Sequence, residues 1–216
     1  VIHNGSFSTV AGFSNMELPQ CIIPSSYIKR DKDESYIFGT FEMLDEAEKN
    51  EIGSNVYTII DSRGLPYNWE LLEAQWRYIY ETHLKIAPEE LPLVISVPAS
   101  SGDLDIKVLE SYFELAFTKL NVPVLQIVIE PLAITLSMGK SSALVVDIGS
   151  KGCKVTPIID GTVVKSGVMK SKYGGDFLDF EINETLKEIG ANGENSCEMW
   201  LNSNTWIQQF KSTMLQ

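Results

Sequence analysis

Two separated segments carry the residue types that could hold a phosphate chain. The first is Val1 to Phe13, with Asn4, Gly5 and Ser6 between two short β-branched runs; the second is Ala143 to Lys154, with Asp147, Ile148, Gly149 and Ser150 at the corresponding place. Each reads as strand, tight glycine turn, strand. Glycine lets a turn's backbone approach an anion closely and tolerates positive φ, so two such turns facing each other can cradle a triphosphate between main-chain N–H groups. Asp147, at the end of a buried-strand pattern, is placed to hold a water of a bound Mg²⁺. Either hairpin alone is an ordinary structural turn in most proteins; the information lies in the pairing of two, far apart in the chain.

The intervening sequence must position them. Strand-like runs appear at Val10-Ala11, Cys21–Ile23, Tyr57–Ile60, Leu93–Val97, Val124–Ile129 and Leu144–Val146. Two amphipathic helices lie between them. One is capped by Asn68 and shows Trp69, Leu72, Trp76 and Ile79 on one face. The other follows Ser100–Asp103 and is expected to bury Ile106, Leu109, Phe113, Ala116 and Leu120. Pro88-Glu89-Glu90 reads as a turn, and the acidic stretch Glu42 to Asn55 as a surface insertion. Alternation of strand and helix predicts an α/β fold with a mixed or parallel sheet covered by helices.

With 216 residues, 44% of them hydrophobic, the chain can bury a sizeable core. Seventeen Lys+Arg against 29 Asp+Glu give a net charge of −12, which repels phosphate backbones, so no direct DNA binding is expected. Cys21, Cys153 and Cys197 are scattered and read as free thiols in a reducing compartment, and with only His3 and His83 beside them a zinc site is not expected. No stretch has the length of a membrane span. The chain opens directly in strand-like Val1-Ile2-His3 and closes at Gln216 within helix-like sequence, so a partial chain is expected.

These segments resemble the actin-related protein family. Asn4-Gly5-Ser6 with Ala11-Gly12-Phe13 resembles the first phosphate loop of actin; Asp147-Ile148-Gly149 with Pro157–Gly161 resembles the second. Asn68-Trp69, Lys85–Pro92 and Leu120–Pro123 follow actin's order and spacing, and Gly174-Gly175-Asp176 is similar to the segment passing under the nucleotide. The wording of Leu18–Arg30 and Thr205–Ser212 is most similar to actin-related members of fungal chromatin remodellers.

The resemblance implies an actin-like (ribonuclease H-like) ATPase fold. Residues 1–138 would form subdomains 1 and 2, with 31–60 approximating subdomain 2, and 139–216 would begin subdomains 3 and 4. Nucleotide-binding positions carried over are Asn4, Gly5, Ser6, Asp147, Gly149, Ser150, Gly174 and Lys211, with ATP as the cofactor and Asp147 toward Mg²⁺. The departures are chemical. His3 stands where actin has a metal-facing aspartate and Val10 where it has a phosphate-binding lysine, each removing a charge-assisted contact of roughly 1.5–3 kcal/mol. Glu130 replaces the water-positioning glutamine, Lys154 the histidine that assists it, and Ser212 the ribose-binding glutamate.

No catalysis is therefore expected, with one qualification. Glu130-Pro131 also resembles a pair in heat-shock chaperones of the same superfamily, which leaves a slow ATPase or ATP-gated chaperone-like protein as the alternative; otherwise Glu130-Pro131 simply starts a helix. Only Asp31–Glu34 stand where actin carries a filament-contact loop, so polymerisation is not expected. What remains is a nuclear, non-filamentous subunit of SWI/SNF- and RSC-type complexes. It would bind a helical segment of the remodelling ATPase together with a second actin-related protein. Leu136, Met138, Gly139, Ile159 and Val163 would line the groove for that helix, unless they are ordinary core or hairpin residues.

Overall fold

The structure, a computed structural model, describes residues 1–29, 35–39, 56–102, 106–188, 211 and 213. The shortened segment Asp31–Glu34, the acidic stretch Glu42–Asn55, Asp103 and most of Thr205–Ser212 lie outside the described residues.

Three sheets organise the described residues. The first has the strand order β3-β2-β1-β7-β8, from β1 (Ile2–Asn4), β2 (Ser8–Ala11), β3 (Cys21–Pro24), β7 (Leu93–Val97) and β8 (Leu125–Ile129). It is mixed: β1 and β2 pair antiparallel with Ile2 opposite Ala11, whereas β7 runs parallel to both β1 and β8. A second, small sheet joins β4 (Ser26–Lys29) to β5 (Tyr36–Ile37) and β6 (Val56–Thr58), with the Tyr27 and Tyr57 rings stacked at 5.4 Å. In the third, β10 (Cys153–Ile159) pairs with β9 (Ala143–Ile148), β11 (Thr162–Val163) and β12 (Met169–Ser171).

Helix α1 (Trp69–Tyr78) starts where the Asn68 side chain accepts the Leu71 amide at 3.1 Å. Leu72, Trp76 and Ile79 are buried against the first sheet, as their spacing predicts, and the helix runs on through a wider π turn over Ile79–Leu84. Gln75 is fully buried on the same face. Its carbonyl accepts from Asn4 and Thr9 and its amide donates to Pro24 O, while the Trp76 indole donates to Asn4 Oδ1 at 2.9 Å. Each side-chain polar atom in this knot has at least one partner, which is what makes a polar cluster tolerable in a core.

The second amphipathic helix, α2 (Ile106–Phe113), corrects the expected face. Ile106 is 71% and Phe113 46% exposed; the buried residues are Tyr112, Leu115, Ala116 and Leu120. The cause is a π turn over Glu114–Lys119, which winds more residues per turn than an α-helix and so rotates the apolar stripe. Tyr112 takes the place expected of Phe113, packing edge-on against Trp69 at 4.8 Å. Two further α-helices among the described residues are α3 (Glu130–Ser137), which leaves β8 directly, and α4 (Gly175–Glu188). No helix among the described residues is long and apolar enough to cross a membrane.

Candidate functional site

Both glycine hairpins line one cavity of about 190 Å³. The β1–β2 turn supplies Gly5 and Ser6 from one side; the β9–β10 turn supplies Gly149 and Ser150 from the other. Gly5 N–H closes its own turn on Ser8 O at 3.0 Å, and Gly149 N–H closes on Gly152 O at 2.9 Å. The amides at the two tips, those of Ser6, Phe7, Ser150 and Lys151, make no hydrogen bond among the described residues. Unpaired amides on converging turns fit an anion, so the residues present suit the phosphate chain of a nucleotide.

The first turn is fixed from beneath. Asn4 spends its side-chain amide on Thr9, Gln75 and Trp76, so only its backbone is left to face the cavity. The second turn is fixed by close backbone approach. Gly152 sits at φ +147°, and a Cβ on it would run into the Ser171 carbonyl; a Cβ on Gly174 would run into Gly149 and Gly152. In this turn the positive φ therefore falls at Gly152, while Gly149 keeps an ordinary value. Gly175 N–H and Asp176 N–H then donate to Gly149 O and Ser150 O at 3.0 and 2.9 Å, tying the head of α4 to the turn.

Around these turns stand His3, Glu130, Asp147 and Lys154. His3 Nδ1 lies 2.6 Å from Ser96 Oγ, and its Nε2 lies 3.6 Å from a Glu130 carboxylate oxygen. Glu130 is the first residue of α3, at the positive end of the helix dipole. Asp147, Lys154 and Lys170 stand side by side in register on β9, β10 and β12. Burial holds the Lys154 ammonium below its ordinary pKa, and the nearby Lys170 adds to this, against the opposing pull of Glu130 and Asp147. Lys170 also donates to the Ser62 carbonyl, so the loop Ser62–Gly64 closes one side of the cavity.

Gly174 and Lys211 lie elsewhere, in an adjoining cavity of about 590 Å³ that shares Phe7, Gly149 and Ser150 with the first. There Lys211 Nζ pairs with Asp179 at 2.7 Å. Asp176 bonds both the Ser150 hydroxyl and Lys151, the latter at 2.7 Å. The structure thus gathers Asn4, Gly5, Ser6, Glu130, Asp147, Gly149 and Ser150 about one cavity, and Gly174 and Lys211 about its neighbour. Sequence reading missed Ser96, Arg63, Lys151 and Lys170; only the basic character of Lys170, sixteen residues past Lys154, offered a signal.

The groove residues form a separate cluster. Leu136, Met138 and Ile159 are 58%, 71% and 58% exposed, and Val163 is half-buried. The loop that follows α3, just before β9, is joined to the β10–β11 turn by Gly161 N–H to Ser141 O at 2.7 Å and Asp160 N–H to Ser142 Oγ at 2.9 Å.

The fold and the paired hairpins are those of an actin, and the sequence model of the family "Actin" matches residues 1–205; the chain belongs to the actin family. It is 61% identical to actin-related protein 7 of Saccharomyces cerevisiae, over all of this chain and 48% of that protein. It is 28% identical, over 88% of this chain and 43% of the relative, to the SWI/SNF and RSC complexes subunit arp42 of Schizosaccharomyces pombe. Centractin of the same yeast is 26% identical over 89% of this chain and 52% of its own length. The chain spans about half the length of the curated relatives it matches.

Proposed function

We propose that this chain is part of a non-filamentous nuclear subunit of SWI/SNF- and RSC-type remodelling complexes. It acts as a binding module: with a second actin-related protein it clasps a helical segment of the ATPase subunit. The observation that carries the reading is the joint exposure of Leu136, Met138 and Ile159 on two elements pinned together by hydrogen bonds. An amphipathic helix laid there would cover apolar surface that is otherwise wet. The 61% identity to actin-related protein 7 and the name of the fission-yeast relative arp42 support the setting. The charge of −12 argues for contact with protein and against contact with bare DNA. In this reading residues 1–138 are subdomains 1 and 2, with 31–60 approximating subdomain 2, and 139–216 begin subdomains 3 and 4.

ATP is held at the two hairpins and turned over negligibly, because His3 and Lys154 stand where actin stabilises metal and water. When bound, the nucleotide would supply a triphosphate, and the tip amides of Ser6, Phe7, Ser150 and Lys151 would hold it. Glu130 favours a second reading, a slow ATPase, since its carboxylate lies in the cavity and could orient a water.

The test is affinity between the full-length protein and the remodeller's helical segment. Ile159→Asp and Met138→Asp each place a carboxylate in an apolar contact and should weaken binding at least about tenfold with folding intact. Under actin-polymerising conditions the protein should stay in the supernatant. Filaments in the pellet, or unchanged affinity in both variants, overturn the reading.

A further inference from the structure

On a chain carrying −12, the cavity between the hairpins gathers four basic side chains and two carboxylates. Arg63 is neutralised by Asp61 at 2.7 Å and Lys151 by Asp176 at 2.7 Å, both acids lying outside that cavity. The other two cations are Lys154 and Lys170, directly opposite each other on β10 and β12. Directly paired residues of an antiparallel ladder point to one face, and like charges in that position destabilise the pair. Lys154 makes no ion pair or hydrogen bond among the described residues; Lys170 spends one N–H on Ser62 O and keeps two. Lys154 and Lys170 are matched in number by Glu130 and Asp147 in the same cavity, but the two ammonium groups are held side by side in register, beside four amides that have no partner among the described residues.

The donors for a divalent metal are poorly set by comparison. Mg²⁺ calls for carboxylate oxygens free to meet it or its waters. Asp147 faces Lys154 across the ladder without an ion pair, so a metal beside it would meet the Lys154 charge, and Glu130 has His3 at 3.6 Å.

We propose that the Lys154–Lys170 pair takes the place of the divalent metal, so that this site binds the nucleoside triphosphate as the free polyanion. The inference rests on the nucleotide-binding reading above and specifies its ionic form. Lys154 and Lys170 on the third sheet would hold the phosphate oxygens, together with the amides of the two hairpin turns that line the same cavity. His3 in place of an acid leaves the metal without one carboxylate and spares the free polyanion a repulsive neighbour.

The experiment is equilibrium binding of ATP to the full-length protein, by calorimetry, in EDTA and in excess Mg²⁺. The expected result is binding in EDTA at least as tight as in Mg²⁺. Lys154→Met and Lys170→Met should each weaken binding in EDTA about tenfold or more, with less loss when Mg²⁺ is present. Lys172→Met, a cation lying over the Tyr173 and Phe177 rings, serves as the control and should leave affinity unchanged. Circular dichroism of each variant checks folding, and Lys154→Arg should retain binding if charge is what matters. Binding that requires Mg²⁺ overturns this inference and leaves the nucleotide reading standing. Absence of ATP binding in both buffers overturns both.

Discussion

From Ile2 to Val122 the chain buries a continuous core around Trp76, Leu72 and Ile95, whereas the sheet of β9 to β12 buries little more than Val145, Thr156 and Ile158. On β9, Leu144, Val146 and Ile148 stand 65%, 55% and 73% exposed. The two hairpins that face each other are therefore held by different physics. The first rests on a packed helix through the buried Asn4–Gln75–Trp76 bonds. The second is held by backbone approach at Gly152 and Gly174 and by polar contacts to the head of α4. One wall of the cavity is a product of the core; the other is a product of hydrogen bonds. Substitutions behind the first wall should act on folding, and substitutions in the second on what the cavity holds.

The largest expected effect comes from Trp76→Ala. It removes a ring that is 1% exposed and strands the Asn4 acceptor, costing about 3–5 kcal/mol in denaturant unfolding. A loss below about 1 kcal/mol would mean that the first wall does not depend on this core. A sharper contrast concerns the two described cysteines. Cys21 is buried, and burial pushes its thiol up to about 11, so it should resist alkylation at pH 8. Cys153 is half-buried and lines the cavity, and should label first and be protected by ATP. Peptide mapping separates both from Cys197, and labelling at Cys21 ahead of Cys153 would reverse the assignment of rigid and accessible walls. The smallest effect is expected at Leu144→Ala, within about 0.5 kcal/mol of neutral in the 216-residue chain, since the side chain is 65% exposed. A cost rivalling that of Trp76→Ala would mean that the β9 face is covered.

Local signals were legible in the sequence. The Asn68 cap, the Leu72–Trp76–Ile79 face, strand β7 and both hairpins follow from spacing over a few residues, and the structure has each of them. Long-range register was not legible. Nothing near Lys154 says that Lys170 will lie opposite it, nor that Ser96 will meet His3 across 93 residues. Asn4 lines the cavity beside the glycine turn, and strand alternation sends its side chain to the core beside Thr9 and Gln75, a pairing that no local signal marks. The α2 face failed for a different reason: a wide turn has no sequence mark as plain as a proline, and its rotation moved Tyr112 inward in place of Phe113.

The central claim is that this cavity holds ATP and leaves it whole. The direct measurement is the fate of γ-labelled ATP bound to the full-length protein, followed by acid quench over hours at pH 7. The account predicts that label stays on ATP at a rate indistinguishable from a Glu130→Gln variant, because in the proposed reading His3 and Lys154 stand where actin stabilises the developing charge. Release of labelled phosphate at the pace of filamentous actin, abolished by Glu130→Gln, would contradict it and make Glu130 the base of a working ATPase.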